Sequence, residues 1–191
     1  LSQPSRGIIV DLGCGAGQFV ERLAGTFAEV VGCDLVQYPG YPQGDNIRFV
    51  PTDLNAPRFP LADASADVVA SLETIEHLEN PRAFVREMVR IVRPGGAVLI
   101  TTPNQLSLLS KLTLLTKDQF NAFQESCYPA HITALVEADL RHIVAECGLV
   151  NPRISYTNEG RIPLIGGTWP KILRGRRWSD NVLLLAEKPR S

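Results

Sequence analysis

The chain has 191 residues, of which 45% are hydrophobic and 20% charged, and its formal net charge is −1. This balance is typical of one globular domain with a single continuous core. The near-zero charge excludes a strong overall attraction to nucleic acid or anionic lipid, and no apolar run reaches the ~18 residues of a membrane span, so we expect a cytoplasmic protein.

Short apolar runs alternate with amphipathic stretches in the first half of the chain, a pattern typical of an α/β domain with a largely parallel sheet. The predicted strands are 8–10, 28–33, 47–50, 66–72 and 97–101. A helical stretch with Val20 on its apolar face follows the first strand. A second helix is predicted to begin at Pro81 and to stop at the Arg93-Pro94-Gly95-Gly96 turn.

The second half of the chain is less regular. Residues 105–130 are expected to form a helical cap inserted into a single domain comprising residues 1–191. After the cap, the pattern predicts a helix over 134–147 with Gly148 as its C-cap, and then strands over 153–156 and 181–186.

The loop at 158–180 is predicted to form, with the cap, a lid over the substrate. Five aromatic residues of these segments would suit a flat or apolar acceptor, although they could equally anchor the cap; they are Phe120, Phe123, Tyr128, Trp169 and Trp178.

A glycine-rich turn connects the first strand to the first helix. Gly13, Gly15 and Gly17 occupy it, and glycine lets a backbone approach a ligand closely. A dinucleotide fingerprint would need a small residue at position 18, where this chain has Gln18, and the Gly-Lys-Ser/Thr of a phosphate loop is absent. The turn therefore indicates a ligand, but neither of these two classes.

Acidic residues follow three successive strands. Asp11 would repel a pyrophosphate and favour a ligand with an ammonium group. Asp34 stands where a carboxylate accepts from two ribose hydroxyls, and Asp53 could accept from the exocyclic amine of adenine. Each of the three, taken alone, could instead be a helix N-cap or an ordinary loop residue. Together, at the carboxyl edge of the sheet, they favour S-adenosylmethionine, which carries an ammonium and a sulfonium, over NAD.

The segment Val10-Asp11-Leu12-Gly13-Cys14-Gly15-Ala16-Gly17 resembles the first motif of class I S-adenosylmethionine-dependent methyltransferases. Later segments are similar to the following blocks of that family, in order, and the small-molecule subgroup that includes ubiquinone-pathway O-methyltransferases is the nearest. The resemblance implies a Rossmann-like α/β fold with helices on both faces of a seven-stranded, mostly parallel sheet. Its strand order would be 3-2-1-4-5-7-6, with strand 7 antiparallel.

The resemblance also implies which residues bind S-adenosylmethionine. Asp11 and the glycines would face the methionyl tail, Asp34 would take the ribose, and Asp53 with Leu54 the adenine. Residues 71–73 would lie beside the sulfonium. The predicted cofactor-binding residues are Asp11, Gly13, Cys14, Gly15, Gly17, Asp34, Leu35, Asp53, Leu54, Leu72 and Glu73.

An E-x-x-E-H run after the fourth strand holds the candidate catalytic residues. A helical turn would place Glu73, Glu76 and His77 on one face, where carboxylates and imidazole suit a divalent ion such as Mg²⁺ or Mn²⁺. His131 could return to this edge as a fourth ligand. The arrangement resembles the metal-binding motif of ubiquinone-pathway and small-RNA 2′-O-methyltransferases, yet many family members have no metal here. Without metal, His77 or His131 could act as the general base, and Glu76 is a third catalytic candidate.

These features predict an enzyme that methylates a small molecule at a hydroxyl oxygen. Two alternatives stay open. The basic residues Lys171, Arg174, Arg176 and Arg177 would suit an RNA 2′-O-methyltransferase, although the near-zero net charge argues against a nucleic-acid partner. A non-catalytic relative that only binds the cofactor is the other alternative, and the intact glycines and acids count against it.

Overall fold

The computed structural model describes residues 5–163 and 167–190. Its strands are β1 (Ser5–Leu12), β2 (Phe27–Asp34), β3 (Ile47–Pro51), β4 (Ala66–Leu72), β5 (Val92–Pro103), β6 (Val150–Tyr156) and β7 (Asn181–Glu187). Its α-helices are α1 (Gln18–Leu23), α2 (Pro81–Ile91), α3 (Leu108–Lys117) and α4 (Glu137–Glu146). Short 3₁₀ turns lie at Ile75–His77, Asn121–Phe123, Glu125–Cys127 and Arg176–Trp178.

The strands form one seven-stranded sheet in the order β3-β2-β1-β4-β5-β7-β6. Strands β1 to β5 pair in parallel, and β7 runs antiparallel to both β5 and β6. This confirms the expected fold. Because parallel strands all point the same way, the carboxyl ends of β1 to β5 share one edge, where ligands bind in open α/β sheets.

Helices cover both faces of this sheet. Successive residues of a strand point to opposite faces, so Ile9 and Val10 lie in two different cores. The larger core contains Phe84 of α2 and Leu140 of α4, both fully buried. The smaller core contains Val20 of α1. Burial on both faces explains why the central strands read as nearly continuous apolar runs.

Helix α2 begins where the sequence predicts and ends differently. The Asn80 side chain accepts a hydrogen bond from the Ala83 N–H at 3.0 Å, and Pro81 is the first helical residue. The expected stop at 93–96 is not a separate turn, because β5 already begins at Val92, which pairs with Ala66. Lys188 Nζ donates to the carbonyls of Val89 and Val92 and so satisfies the end of the helix.

Helix α4 begins at Glu137, three residues later than predicted. The Asp139 carboxylate accepts from the Val136 N–H at 3.0 Å, which fixes the start of the helix there. Leu135 is nevertheless buried. The apolar pattern therefore predicted the burial of this residue correctly but placed the start of the helix too early. Gly148 lies just beyond the helix, as expected.

The segment at 105–130 is helical, with α3 followed by two 3₁₀ turns. In the loop at 158–180, residues 164–166 lie outside the described residues, and Trp169 packs edge-on against Trp178 with ring centroids 4.7 Å apart. Over the described ranges, none of the helices combines the length and the apolar character that a bilayer crossing requires.

Candidate functional site

Two cavities lie at the carboxyl edge of the sheet and contain almost all the predicted cofactor residues. One, of about 400 Å³, is lined by residues that include Asp34, Leu35, Asp53, Leu54 and Glu73. The other, of about 350 Å³, is lined by residues that include Asp11, Cys14, Gly15 and Leu72. Gly13 lines both cavities, and the two are together named here the cofactor groove. Gly17 is the one predicted residue that lines neither.

Asp11 is the buried acid of this groove. It lies at the end of β1, opposite Gly32 of β2 and Ala70 of β4, and only 1% of its surface is exposed. Within the described residues its Oδ1 has no hydrogen-bond partner. Burial, together with the charge of Asp34, raises the pKa of Asp11 to about 7. An unpaired buried carboxylate is costly, and a cationic ligand in the groove would offset that cost.

Asp34 ties the glycine turn to β2. Its Oδ2 accepts from the Gly15 N–H at 2.9 Å, and its Oδ1 accepts from the Leu35 N–H at 2.7 Å. Each bond joins a charged acceptor to a backbone donor, so the carboxylate is held in one orientation at the mouth of the groove.

The three glycines of the turn serve different purposes. A Cβ on Gly13 would lie 2.2 Å from Thr74 Oγ1, and a Cβ on Gly17 would lie 2.4 Å from Pro42 Cδ. These two positions are therefore small because the protein packs against them. Only at Gly15 would a Cβ meet nothing within 4 Å, so only Gly15 leaves open space for a ligand.

Tyr41 supports the turn, although its position in an irregular loop gave no sign of this in the sequence. The ring is buried, packs edge-on against Phe49 at 5.2 Å, and directs its hydroxyl to Cys14 Sγ at 3.6 Å. A Cβ on Gly32 would clash with that hydroxyl. Gly32 inside a strand was the available signal, since such a glycine often marks a close approach.

The E-x-x-E-H run does not form the expected helical turn. The 3₁₀ turn begins only at Ile75, and Glu73 precedes it with a φ of 50°. The expectation that Glu73, Glu76 and His77 share one helical face is therefore wrong. Glu73 instead accepts a hydrogen bond from Thr101 Oγ1 at 2.7 Å, and burial raises its pKa.

A close group of three residues forms without Glu73. Ligand atoms of Glu76, His77 and His131 all lie within 4.8 Å of one another. The backbone makes this possible, because the N–H groups of Ile132 and Thr133 both donate to the Glu76 carbonyl at 3.0 Å. The segment after the cap therefore packs against the 3₁₀ turn. His131 thus lies at the edge of the sheet to which it was predicted to return.

Each histidine of the group has one ring nitrogen engaged. His77 Nδ1 lies 2.8 Å from the Ala130 carbonyl, and His131 Nδ1 lies 2.6 Å from the Ala122 carbonyl. Since a carbonyl oxygen only accepts, each Nδ1 carries a proton, and in the neutral ring Nε2 keeps its lone pair. The two rings meet edge-on at 4.7 Å.

Glu76 is the buried member of the group. Its Oε2 accepts from Thr102 Oγ1 at 3.0 Å, whereas its Oε1 has no partner among the described residues. Burial, with the charge of Glu73 adding to it, raises the pKa of Glu76 to about 7. The group therefore offers one unpaired carboxylate oxygen and two imidazole lone pairs, a donor set that fits a divalent cation.

A third cavity, of about 420 Å³, lies on the cap side of Glu73 and is named here the cap cavity. Its lining residues come from the end of β5, the cap, the 158–180 loop and the start of β7, together with Glu73 after β4 and His131 after the cap. None of the five aromatic residues expected to suit an apolar acceptor lines it. Phe123 packs against His131 instead, with centroids 5.4 Å apart, which matches the alternative that these rings anchor the cap.

Residues 10–100 match a family described as a methyltransferase domain. A Mycolicibacterium smegmatis protein described as a probable S-adenosylmethionine-dependent methyltransferase is 36% identical over 105 residues, covering 52% of this chain and 39% of that protein. An Erwinia tasmaniensis ubiquinone biosynthesis O-methyltransferase is 33% identical over 108 residues, covering 52% of this chain and 43% of that protein. This chain thus spans about two fifths of these relatives.

An S-adenosylmethionine-dependent methyltransferase from Mesorhizobium loti has the same fold. Its crystal structure aligns with a TM-score of 0.68 at 15% identity, over 98% of this chain and 94% of that one. The family match begins at Val10, directly before Asp11 and the glycine turn, and continues into β5. Residues 10–100 therefore match a methyltransferase domain, and the chain as a whole has the fold of S-adenosylmethionine-dependent methyltransferases.

Proposed function

We propose that this domain transfers the methyl group of S-adenosylmethionine to a hydroxyl oxygen of a small molecule. One observation carries the proposal: Glu73 lines both the cofactor groove and the cap cavity. A donor in the groove and an acceptor in the cavity would therefore meet beside this residue. Methyl transfer from a sulfonium needs mainly such alignment and the exclusion of water, because the cofactor is already activated.

On the donor side, Asp11 is suited to the cofactor's ammonium group. Its unpaired Oδ1 gains a charged partner there, and Asp34 and Asp53 line the part of the groove that would hold the ribose and adenine. The open face of Gly15 leaves room for the methionyl chain. These features support the roles that the family resemblance implies for these residues.

On the acceptor side, the reaction needs a group that handles the hydroxyl proton. The S–CH₃ bond breaks as the O–CH₃ bond forms, and the acceptor oxygen must release its proton. His131 lines the cap cavity, and its Nδ1 is bound to a carbonyl, so its Nε2 can accept that proton. Glu76 and His77 lie within reach of His131 and would stabilise the charge that it gains.

The same three residues would also hold a divalent ion. Imidazole nitrogens outnumber the carboxylate in this set, so Mn²⁺ fits better than Mg²⁺, which prefers oxygen ligands. The Nδ1–carbonyl bonds of both histidines are the kind of support that metal-bound imidazoles have. A bound ion would lower the pKa of the acceptor hydroxyl. Glu73, which the sequence also suggested as a metal ligand, is not among these three residues and is not proposed as a ligand.

Calorimetry and a transfer assay test the proposal. S-adenosylhomocysteine is expected to bind the purified chain with a micromolar dissociation constant, and radiolabelled S-adenosylmethionine is expected to label a small hydroxyl compound. Absence of S-adenosylhomocysteine binding would contradict the proposal, and transfer to RNA alone would replace the small-molecule acceptor. If EDTA and added Mn²⁺ leave the rate unchanged, the three residues act without an ion.

The pH dependence of cofactor binding tests the role of Asp11. Its pKa is about 7 in the free protein, so below that pH it binds a proton that the ligand's ammonium must displace. Affinity for S-adenosylhomocysteine is therefore expected to fall about fivefold from pH 7 to one unit below the pKa, because the ionised fraction of Asp11 falls from about one half to about one eleventh. Calorimetry between about pH 5.5 and 7.5 measures this, a range in which the ligand's ammonium stays charged.

An Asp11→Asn variant should bind S-adenosylhomocysteine roughly tenfold to a hundredfold more weakly at neutral pH, since it loses a charge-assisted hydrogen bond. Its affinity should also lose the pH dependence. Asp45→Asn, at an exposed position in the loop before β3, is the matched control and should behave like the unmodified chain. A pH profile that persists in Asp11→Asn would show that another group is responsible.

A further inference from the structure

The residues that line the cap cavity are mostly polar. Apart from Pro103, Ala122 and Cys127, every described residue that lines it carries a polar or charged side chain. No Phe, Tyr or Trp from the described ranges contributes to the lining. Ligand sites are usually lined by apolar and aromatic side chains with only a few polar groups. The chemistry of the acceptor has to account for this difference.

The inner wall of the cavity is polar and already rigid. Asn104 donates to the carbonyls of Arg176 and Ser179 at 2.7 and 2.8 Å, which joins the end of β5 to the 158–180 loop. Gln105 is buried, donates to the Pro103 carbonyl, and accepts from Ser110 Oγ. These side chains are held by the fold, so the polar wall exists before any acceptor arrives.

The outer wall offers groups that remain available. Among the described residues, the side chains of Asn121 and Ser126 have no hydrogen-bond partner, and both line the cavity. Glu73, Asp180 and Arg161 also line the cavity, and each already makes a side-chain hydrogen bond but keeps further donor or acceptor capacity. An apolar ring placed here would strip water from these groups without replacing it, which is unfavourable at each of them.

A second cavity adjoins the first. It has a volume of about 280 Å³, and Arg161, Asp180 and Asn181 line both cavities. Arg161 Nε donates to Asp180 Oδ2 at 2.6 Å, so this ion pair stands at their junction. The other described lining residues of the second cavity, including Thr157, Glu159 and Thr168, are polar or glycine. The polar groups at this junction thus face a second space, whose surface combines polar groups with exposed carbon atoms.

We propose that the methyl acceptor is polyhydroxylated, a sugar residue that occupies the cap cavity, with a linked sugar reaching the second cavity past Arg161 and Asp180. Hydroxyl groups both donate and accept, so a sugar satisfies amides, serines and carboxylates together. The inference rests on the proposed function and specifies its acceptor. The transfer would break the S–CH₃ bond and form an ether O–CH₃ bond, and the hydroxyl proton would pass to His131 or to solvent.

The test compares two sets of acceptors in the same transfer assay. One set contains methyl glycosides of common hexoses and deoxyhexoses with their disaccharides, and the other contains catechols and simple phenols. Labelled methyl is expected on a glycoside, with the disaccharide showing a lower KM than the matching monosaccharide. Saturation-transfer NMR with S-adenosylhomocysteine bound measures glycoside binding at about 10 mM, which reveals millimolar ligands.

Two variants connect the result to the cavity. Ser126→Ala is expected to raise the KM for the glycoside several-fold to about tenfold, because one available hydrogen bond is lost, and to leave S-adenosylhomocysteine affinity unchanged. Ser155→Ala is the matched control, an exposed serine of β6 whose side chain has no hydrogen bond among the described residues. A change of the same size in both variants would contradict the assignment.

The outcomes separate this inference from the proposed function. Transfer to a catechol in preference to every glycoside overturns the sugar acceptor and leaves the methyltransferase proposal standing. Absence of both transfer to and NMR binding of all glycosides, with S-adenosylhomocysteine still bound, also overturns it. Loss of S-adenosylhomocysteine binding by the unmodified chain would instead contradict the proposed function itself.

Discussion

Gly17→Ala is expected to lower the free energy of unfolding by about 3 kcal/mol, which corresponds to a fall of roughly 10 °C in melting temperature. Two costs add up. The backbone has a φ of 84° there, which disfavours any side chain, and the new Cβ would lie 2.4 Å from Pro42 and 2.9 Å from the Tyr41 ring. Both neighbours belong to the loop that closes over the turn, so the methyl group has nowhere to move.

Gly15→Ala is the matched comparison, two residues away in the same turn. Its φ of 51° costs about 1 kcal/mol, but its Cβ would meet no atom of the described residues within 4 Å. We expect this variant to fold and to bind S-adenosylhomocysteine at least tenfold more weakly, because the methyl group projects toward the space proposed for the ligand. Urea denaturation and calorimetry measure the two effects. Equal loss of stability in both variants would refute this division of roles.

His131→Gln is expected to reduce the turnover number by a factor of about a hundred or more while leaving S-adenosylhomocysteine affinity within about twofold. His131 lines the cap cavity and belongs to the group with Glu76 and His77, whereas it does not line the cofactor groove. The variant loses either a proton acceptor or a metal ligand. In both cases the rate of methyl transfer should fall, while the affinity for the cofactor should not change.

His142→Gln is the control for this prediction, because His142 is an exposed residue of α4 that lines neither the cap cavity nor the cofactor groove. Its turnover should match that of the unmodified chain. Steady-state rates measured with saturating donor, together with circular dichroism to confirm folding, complete the comparison. If His131→Gln changes only the KM for the acceptor, His131 contacts the acceptor without taking part in proton removal.

Most of the fold and the position of the cofactor groove were predictable from the sequence. Apolar runs with flanking acids located β1 to β5, because a buried parallel strand needs apolar residues on both faces. Asp11, Asp34 and Asp53 could be assigned to one edge from their positions after strands alone, since the carboxyl ends of parallel strands coincide. The strand order and the antiparallel β7 were implied by the family resemblance.

Element boundaries were less predictable, because they depend on single contacts. Asp139 fixes the start of α4, and the pairing of Val92 with Ala66 turns the expected stop after α2 into the beginning of β5. Glu73 has a positive φ, and its carboxylate accepts a hydrogen bond from Thr101. Because the backbone at Glu73 is not helical, the three-residue spacing to Glu76 does not place the two side chains on one helical face. Spacing rules assume regular backbone, and this residue departs from it.

The sequence alone determined the positions of the parallel strands and the edge at which the three acidic residues meet, because these follow from periodicity and from the residues next to strand ends. Tertiary structure decided the rest. Tyr41 reaches Cys14, and His131 reaches Glu76, only because loops distant in sequence dock onto the edge. The cap cavity likewise combines the residue after β4, the end of β5, the cap, the 158–180 loop and the start of β7. Its lining depends on which sides of these separate segments face one another, and no local pattern encodes that choice.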